Sequence, residues 1–154
     1  MKNKIENKGN NSPGPALGDG TLFVGINPET NMPIYTTPTD FGVTMTFNEA
    51  SKFAATDTSF NHNDWRLPTD VELQMLSDAK EAIGNFDTSG SDETGFYWSS
   101  TEKNWLRDGT ALTAVAQRFG EVARRFSFRK THPADTKQYP LLKTDKASVR
   151  LVRG

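Results

Sequence analysis

Apolar residues in this chain fall into short runs broken by turn formers, and the runs change period along the sequence. Residues 1–18, MKNKIENKGNNSPGPALG, have no apolar period and concentrate Asn, Gly, Pro and Lys. Such a segment cannot bury enough surface to offset the entropy of ordering on its own, so it reads as an arm or linker, flexible or docked to an assembly, ahead of a domain over 19–154. From Thr21 the pattern becomes Thr-Leu-Phe-Val-Gly-Ile, then the turn-rich Asn27 to Asn31, then Met32 to Thr36. This predicts two short strands in a hairpin. Thr46 with Glu49 gives a capping box, and Phe47, Ala50, Phe53 and Ala54 recur at helical spacing, so a helix is expected over about 46–56. Thr69 with Glu72 repeats the signature after Pro68; Leu73, Leu76 and Ile83 supply the apolar face and Gly84 a stop, giving a helix over 69–83.

Beyond Gly84 the chain reads as sheet and loops. Phe96 to Thr101 is rich in aromatic and hydroxyl residues; Ala114 to Phe119 and Val122 to Phe128 flank Gly120-Glu121, which suits a type II′ hairpin turn. The polar stretch 130–147, with Pro133 and Pro140, reads as a long loop, and Ser148 to Arg153 as a last strand. Helices early and strands late, without βαβ alternation, predict an α+β fold: two short helices in the first half and a mainly antiparallel, loop-rich sheet in the second.

Composition narrows the chemistry. The 154 residues suit one domain and include ten Phe, three Trp and three Tyr but no Cys, which excludes disulfide scaffolds, thiolate metal sites and cysteine nucleophiles. No apolar run approaches the roughly 20 residues of a membrane span, and Met1 to Asn11 lack the apolar segment of a signal peptide. The net charge of −1 conceals an asymmetry, −8 over residues 1–117 and +7 over 118–154. Two halves of one fold attracting each other explain it, and so does a basic surface for an anionic partner.

Three segments together resemble a known family: Asp64-Trp65-Arg66-Leu67-Pro68-Thr69 with Glu72-Leu73, then Tyr97-Trp98-Ser99-Ser100-Thr101, then Ser148-Val149-Arg150-Leu151-Val152-Arg153. In this order and spacing they look like the Lcl C-terminal domain family, named for a bacterial collagen-like adhesin and related to the scaffold of the formylglycine-generating enzyme. The resemblance implies a C-type-lectin-like fold and a non-catalytic binding role, since the enzymatic relatives use cysteines that this chain lacks. Read from the residues alone, Trp65 and Trp98 fill the core, Arg66 suits a forked grip on loop carbonyls or a buried carboxylate, Ser99, Ser100 and Thr101 satisfy nearby backbone groups, and Pro68, Thr69, Glu72 and Arg150 complete a structural set.

No enzyme is expected. His62 and His132 sit in loops, outside any nucleophile-elbow pattern. No cofactor is expected either, calcium being the weak alternative at Asp87, Ser89, Asp92 and Glu93 around Gly90, or at Asn61, Asn63 and Asp64. Neither matches an EF-hand, and the Glu-Pro-Asn and Gln-Pro-Asp tripeptides of calcium-dependent lectins are missing. Nucleic acid is disfavoured, because the basic stretch carries no helix-turn-helix, zinc or RNP signature. The expected function is binding of a cell-surface glycan or protein receptor through the C-terminal strands and loops, by Trp105, Arg107, Arg118, Arg124, Arg129, Lys130 and Tyr139 on the outer face of the hairpin 114–128 and the adjoining loops. A homo-oligomer at a cell surface or on a virus particle fits this reading. The alternatives are a virion structural or decoration protein, anchored to a particle or fibre by its arm, and a hypervariable ligand binder diversified in its C-terminal half.

Overall fold

The computed structural model of the chain describes residues 12–15, 17–89, 94–103, 112–120 and 138–154. Its first sheet begins within the segment read as an arm, where β1 (Gly14–Pro15) pairs with β2 (Leu22–Ile26). The expected hairpin joins β2 to β3 (Pro33–Thr36). Its turn is organised by Asn27, whose Oδ1 accepts from the backbone N–H of Glu29 at 2.7 Å, and by Asn31 in the left-handed region at φ 61°.

Both capped helices form. α1 (Phe47–Thr56) starts at Thr46, whose hydroxyl accepts from Glu49 N–H while Glu49 reaches back to Thr46 N–H, and it buries Phe47, Ala50 and Ala54. α2 (Asp70–Asp78) has the same reciprocal cap at Thr69 and Glu72. The expected helix over 69–83 is in fact two, because Ala79 leaves helical geometry (φ −99°, ψ 10°) before α3 (Lys80–Ile83). Lys80 occupies the position that would continue the Leu73–Leu76 stripe, and the bend buries Ala79 and Ile83 instead. Gly84, at φ 83°, ends the unit.

The second sheet comprises β4 (Phe96–Lys103), β5 (Thr113–Arg118) and β6 (Gln138–Leu142), all antiparallel. β6 corrects the expectation of a loop over 130–147: Tyr139 and Leu141 alternate toward the core, and Pro140 is tolerated because β6 is an edge strand. The hairpin expected between 114–119 and 122–128 is also corrected. β4 and β6 occupy the two edges of β5, and Gly120 lacks the positive φ that a type II′ turn requires. Residues 122–128 lie outside the described residues. The last strand shrinks to β7 (Val152–Arg153), which joins β3. Ala147 and Ser148 make single bridges to Met45 and Tyr97 instead, so the tail serves several partners in turn.

The result is a mixed α+β domain with two sheets, ordered β1-β2-β3-β7 and β4-β5-β6. Residues Phe96 to Ser99 are buried without a break because both faces of β4 are covered. Phe96 and Trp98 join a core with α1, Trp65, Leu67 and Val149; Tyr97 joins another with Leu73, Leu76, Ile83, Phe119, Val24 and Val152.

Candidate functional site

The motif side chains are held in two polar networks. In the first, Arg66 grips Glu72 with both terminal nitrogens, at 2.6 and 2.9 Å, and donates further to the carbonyls of Leu67 and Gly154. Glu72, 1% exposed, also accepts from Asn27 Nδ2 and from Thr69 N–H. Burial pushes the Glu72 carboxyl up, but these donors outweigh it and hold it below the usual range. One glutamate thus closes the helix cap, anchors the hairpin turn and neutralises Arg66.

The second network surrounds Arg150, 1% exposed. Its Nε donates to Asp40 Oδ1 at 2.9 Å, its terminal nitrogens to the carbonyls of Thr37, Gly84 and Asn85, and its guanidinium lies 3.9 Å from the Phe86 ring centroid. Tyr97 donates its hydroxyl to Asp40 Oδ2 and accepts from Asp87 N–H. Burial draws Arg150 down and Asp40 up from their ordinary pKa values, opposed on each by the pairing between them, while Tyr97 is pushed up by burial and by Asp40. Two loops, around 37–40 and 84–87, are thereby tied to the tail. Trp65 and Trp98 are 3% and 0% exposed, their indole N–H groups donating to Ser59 and Met45 carbonyls. Pro68 is buried and its carbonyl accepts from Ser100 N–H, while Ser99 donates to the Val115 carbonyl and Thr101 pairs with Asp70.

Of the candidate ligand residues, the structure brings Arg118 and Tyr139 together. Both lie half-buried on the α1-facing side of the second sheet, with Phe96 between them. The Arg118 guanidinium sits 4.5 Å from the Phe96 ring centroid, and Tyr139 meets Phe96 edge-on at 6.0 Å. Trp105, Arg107, Arg124, Arg129 and Lys130 lie outside the described residues. β5 itself has no open outer face, since Ala114 to Gln117 are buried and Gln117 bonds to Gln74 of α2 and to Gln138. Only the end of the strand is available.

Among the calcium candidates, Asp87 accepts from the N–H and hydroxyl of Ser89, and the hydroxyl bond chiefly lowers its pKa; Asp92 and Glu93 lie outside the described residues. In the other loop Asp64 pairs with Arg153 at 2.8 Å. Among the described residues no three His, Cys, Asp or Glu side chains converge in a way that would hold a metal. His62 contacts Asp19 at 2.8 Å, a pairing with no local sequence signal because 43 residues separate the two.

Two of the surface clefts are lined by described residues. One, of about 390 Å³, runs between the small residues Ser51, Ala54 and Ala55 of α1 and the segment from Trp65 to Thr69. The other, of about 120 Å³, lies where the 37–41 loop meets the end of α1 and the following 3-10 turn (Ser59–Asn61). Of its phenyl rings, Phe53 was read only as part of the apolar face of α1, and Phe41 and Phe60 were not singled out in the sequence because they belong to no motif and share no period with it.

The fold and its networks define a small α+β domain built on the WRLPT, YWSS and VRLVR segments. The family model of the Lcl C-terminal domain matches residues 34–153, and the chain belongs to that family. No curated protein matches it. Among the described residues no helix is long and apolar enough to cross a membrane.

Proposed function

We propose that this chain is a non-catalytic binding domain that engages an acidic cell-surface glycan, or a protein receptor of like charge, through the C-terminal strands of its second sheet. The observation that carries this reading is the cluster of Arg118, Phe96 and Tyr139 at the end of β5. An arginine set among aromatic rings combines a positive charge that suits a carboxylate or sulfate with an apolar edge that suits a sugar ring. The +7 charge of residues 118–154 supports an anionic partner, and the likeness to an adhesin domain supports a surface role. The motif side chains, by contrast, are engaged in holding loops together.

The test measures binding of the full chain to sulfated, carboxylated and neutral glycans and to host-cell surface protein, at low and high salt and in each oligomeric form, since oligomers multiply weak contacts. Affinity for the acidic glycans is expected to fall as salt rises, and to drop about tenfold in Arg118→Ser and Tyr139→Ala with folding unchanged. Normal binding by both variants at both salt concentrations would remove this surface. Absence of binding to any of these materials would remove the function.

A further inference from the structure

We infer that the cleft between the 37–41 loop and the end of α1 is a second binding site, selective for an alkylammonium head group. Three phenyl rings, Phe41, Phe53 and Phe60, line it together with the carboxylates of Asp40 and Asp57, and no Lys or Arg is among the described residues that line it. Asp40 is compensated by Arg150. Among the described residues no cation contacts Asp57, whose carboxylate oxygens accept the N–H and hydroxyl of Ser59, at 3.2 and 3.1 Å.

Two of the three hydroxyls of the wall are already committed. The Ser59 hydroxyl donates to Asp57, and the Thr37 hydroxyl donates to the Thr39 carbonyl at 2.8 Å. Apart from the Thr39 hydroxyl, the wall offers lone pairs, ring surfaces and the negative charge of Asp57. That combination repels an anion and offers a neutral hydroxylated ligand few donors, but it suits a cation with an apolar skin. Its volume of about 120 Å³ is close to the ~150 Å³ of an engineered cavity that takes benzene, enough for a trimethylammonium group or the end of a lysine side chain.

The wall is also built rather than incidental. Phe60 stands in the left-handed region at φ 59°, a conformation that bulky side chains rarely adopt. Its ring lies where a side chain on Gly20 would collide with it, and 6.4 Å from Trp65. Gly20 therefore leaves the space that the Phe60 ring occupies.

Amide chemical shifts of the full chain are followed during titration with choline, with n-butylammonium as a lysine side-chain analogue, and with 3,3-dimethylbutan-1-ol, the neutral isostere of choline. Both cations are expected to shift the amides of Phe41, Asp57, Ser59 and Phe60; their ranking tells a quaternary head group from a lysine. The alcohol should bind at least about tenfold more weakly than choline, and Asp57→Asn, which keeps an oxygen for Ser59, should remove that difference. Independently of any variant, choline affinity should fall with added salt while that of the alcohol does not. The inference is overturned if the alcohol matches choline, if a folded Asp57→Asn protein binds choline normally, or if neither cation moves these amides.

Discussion

Arg150 is a cation whose hydrogen bonds all end inside the fold, which makes its partner more consequential than most surface acids. Asp40→Asn would leave that guanidinium buried without its counter-charge, and a loss of about 3–5 kcal/mol is expected from denaturant unfolding. Nothing local in the sequence links the two, since 110 residues separate them. Glu72 is the opposite case: its cap with Thr69 follows from a three-residue spacing and was legible, Arg66 was legible as a forked grip without its carboxylate partner being named, and the bond to Asn27 was not legible. Because the folded pKa of Glu72 lies below its unfolded value of about 4.5, its contribution is fully present above that pH and is lost as pH falls through the folded pKa. Asp40, raised by burial, acts with the opposite sign. Unfolding midpoints measured from pH 7 to 3 should therefore fall less steeply at the acid end in Glu72→Gln than in the parent.

Among the elements, the helix starts were the most readable features, because a capping box writes a local bond into the sequence. Thr69→Ala is expected to lose about 1 kcal/mol in the same unfolding measurement while leaving affinity at the Arg118 surface unchanged. The strands of the second half were read less well. Tyr139 and Leu141 alternate inward, but Pro140 between them and the polar residues before them masked the strand, and pairing with β5 depends on contacts that no local pattern encodes. Gly120 shows the same limit. It looked like a turn residue, yet a methyl group there would run into the backbone of Thr88. Gly120→Ala should consequently cost about 1–3 kcal/mol by forcing the two segments apart, and a neutral effect on thermal unfolding would show that the 88 loop yields freely.

At the scale of the molecule, the α+β class and the family were legible because the WRLPT, YWSS and VRLVR segments are short and ordered, while the proposed binding surface rested on residue type alone. Those segments meet in the structure: Arg66 bridges Val152, and Trp98 N–H donates to the Ser148 carbonyl. The closing segment thus lies between parts made far earlier, and the Thr36 hydroxyl reaches the Leu151 carbonyl across 115 residues. During synthesis, then, the hairpin and both capped helices can emerge from the ribosome well before either core can be sealed. Val149 and Leu151 complete one and Val152 the other, so the nascent domain keeps apolar faces open until residues 149–152 arrive, a route that depends on contacts between segments far apart in the chain.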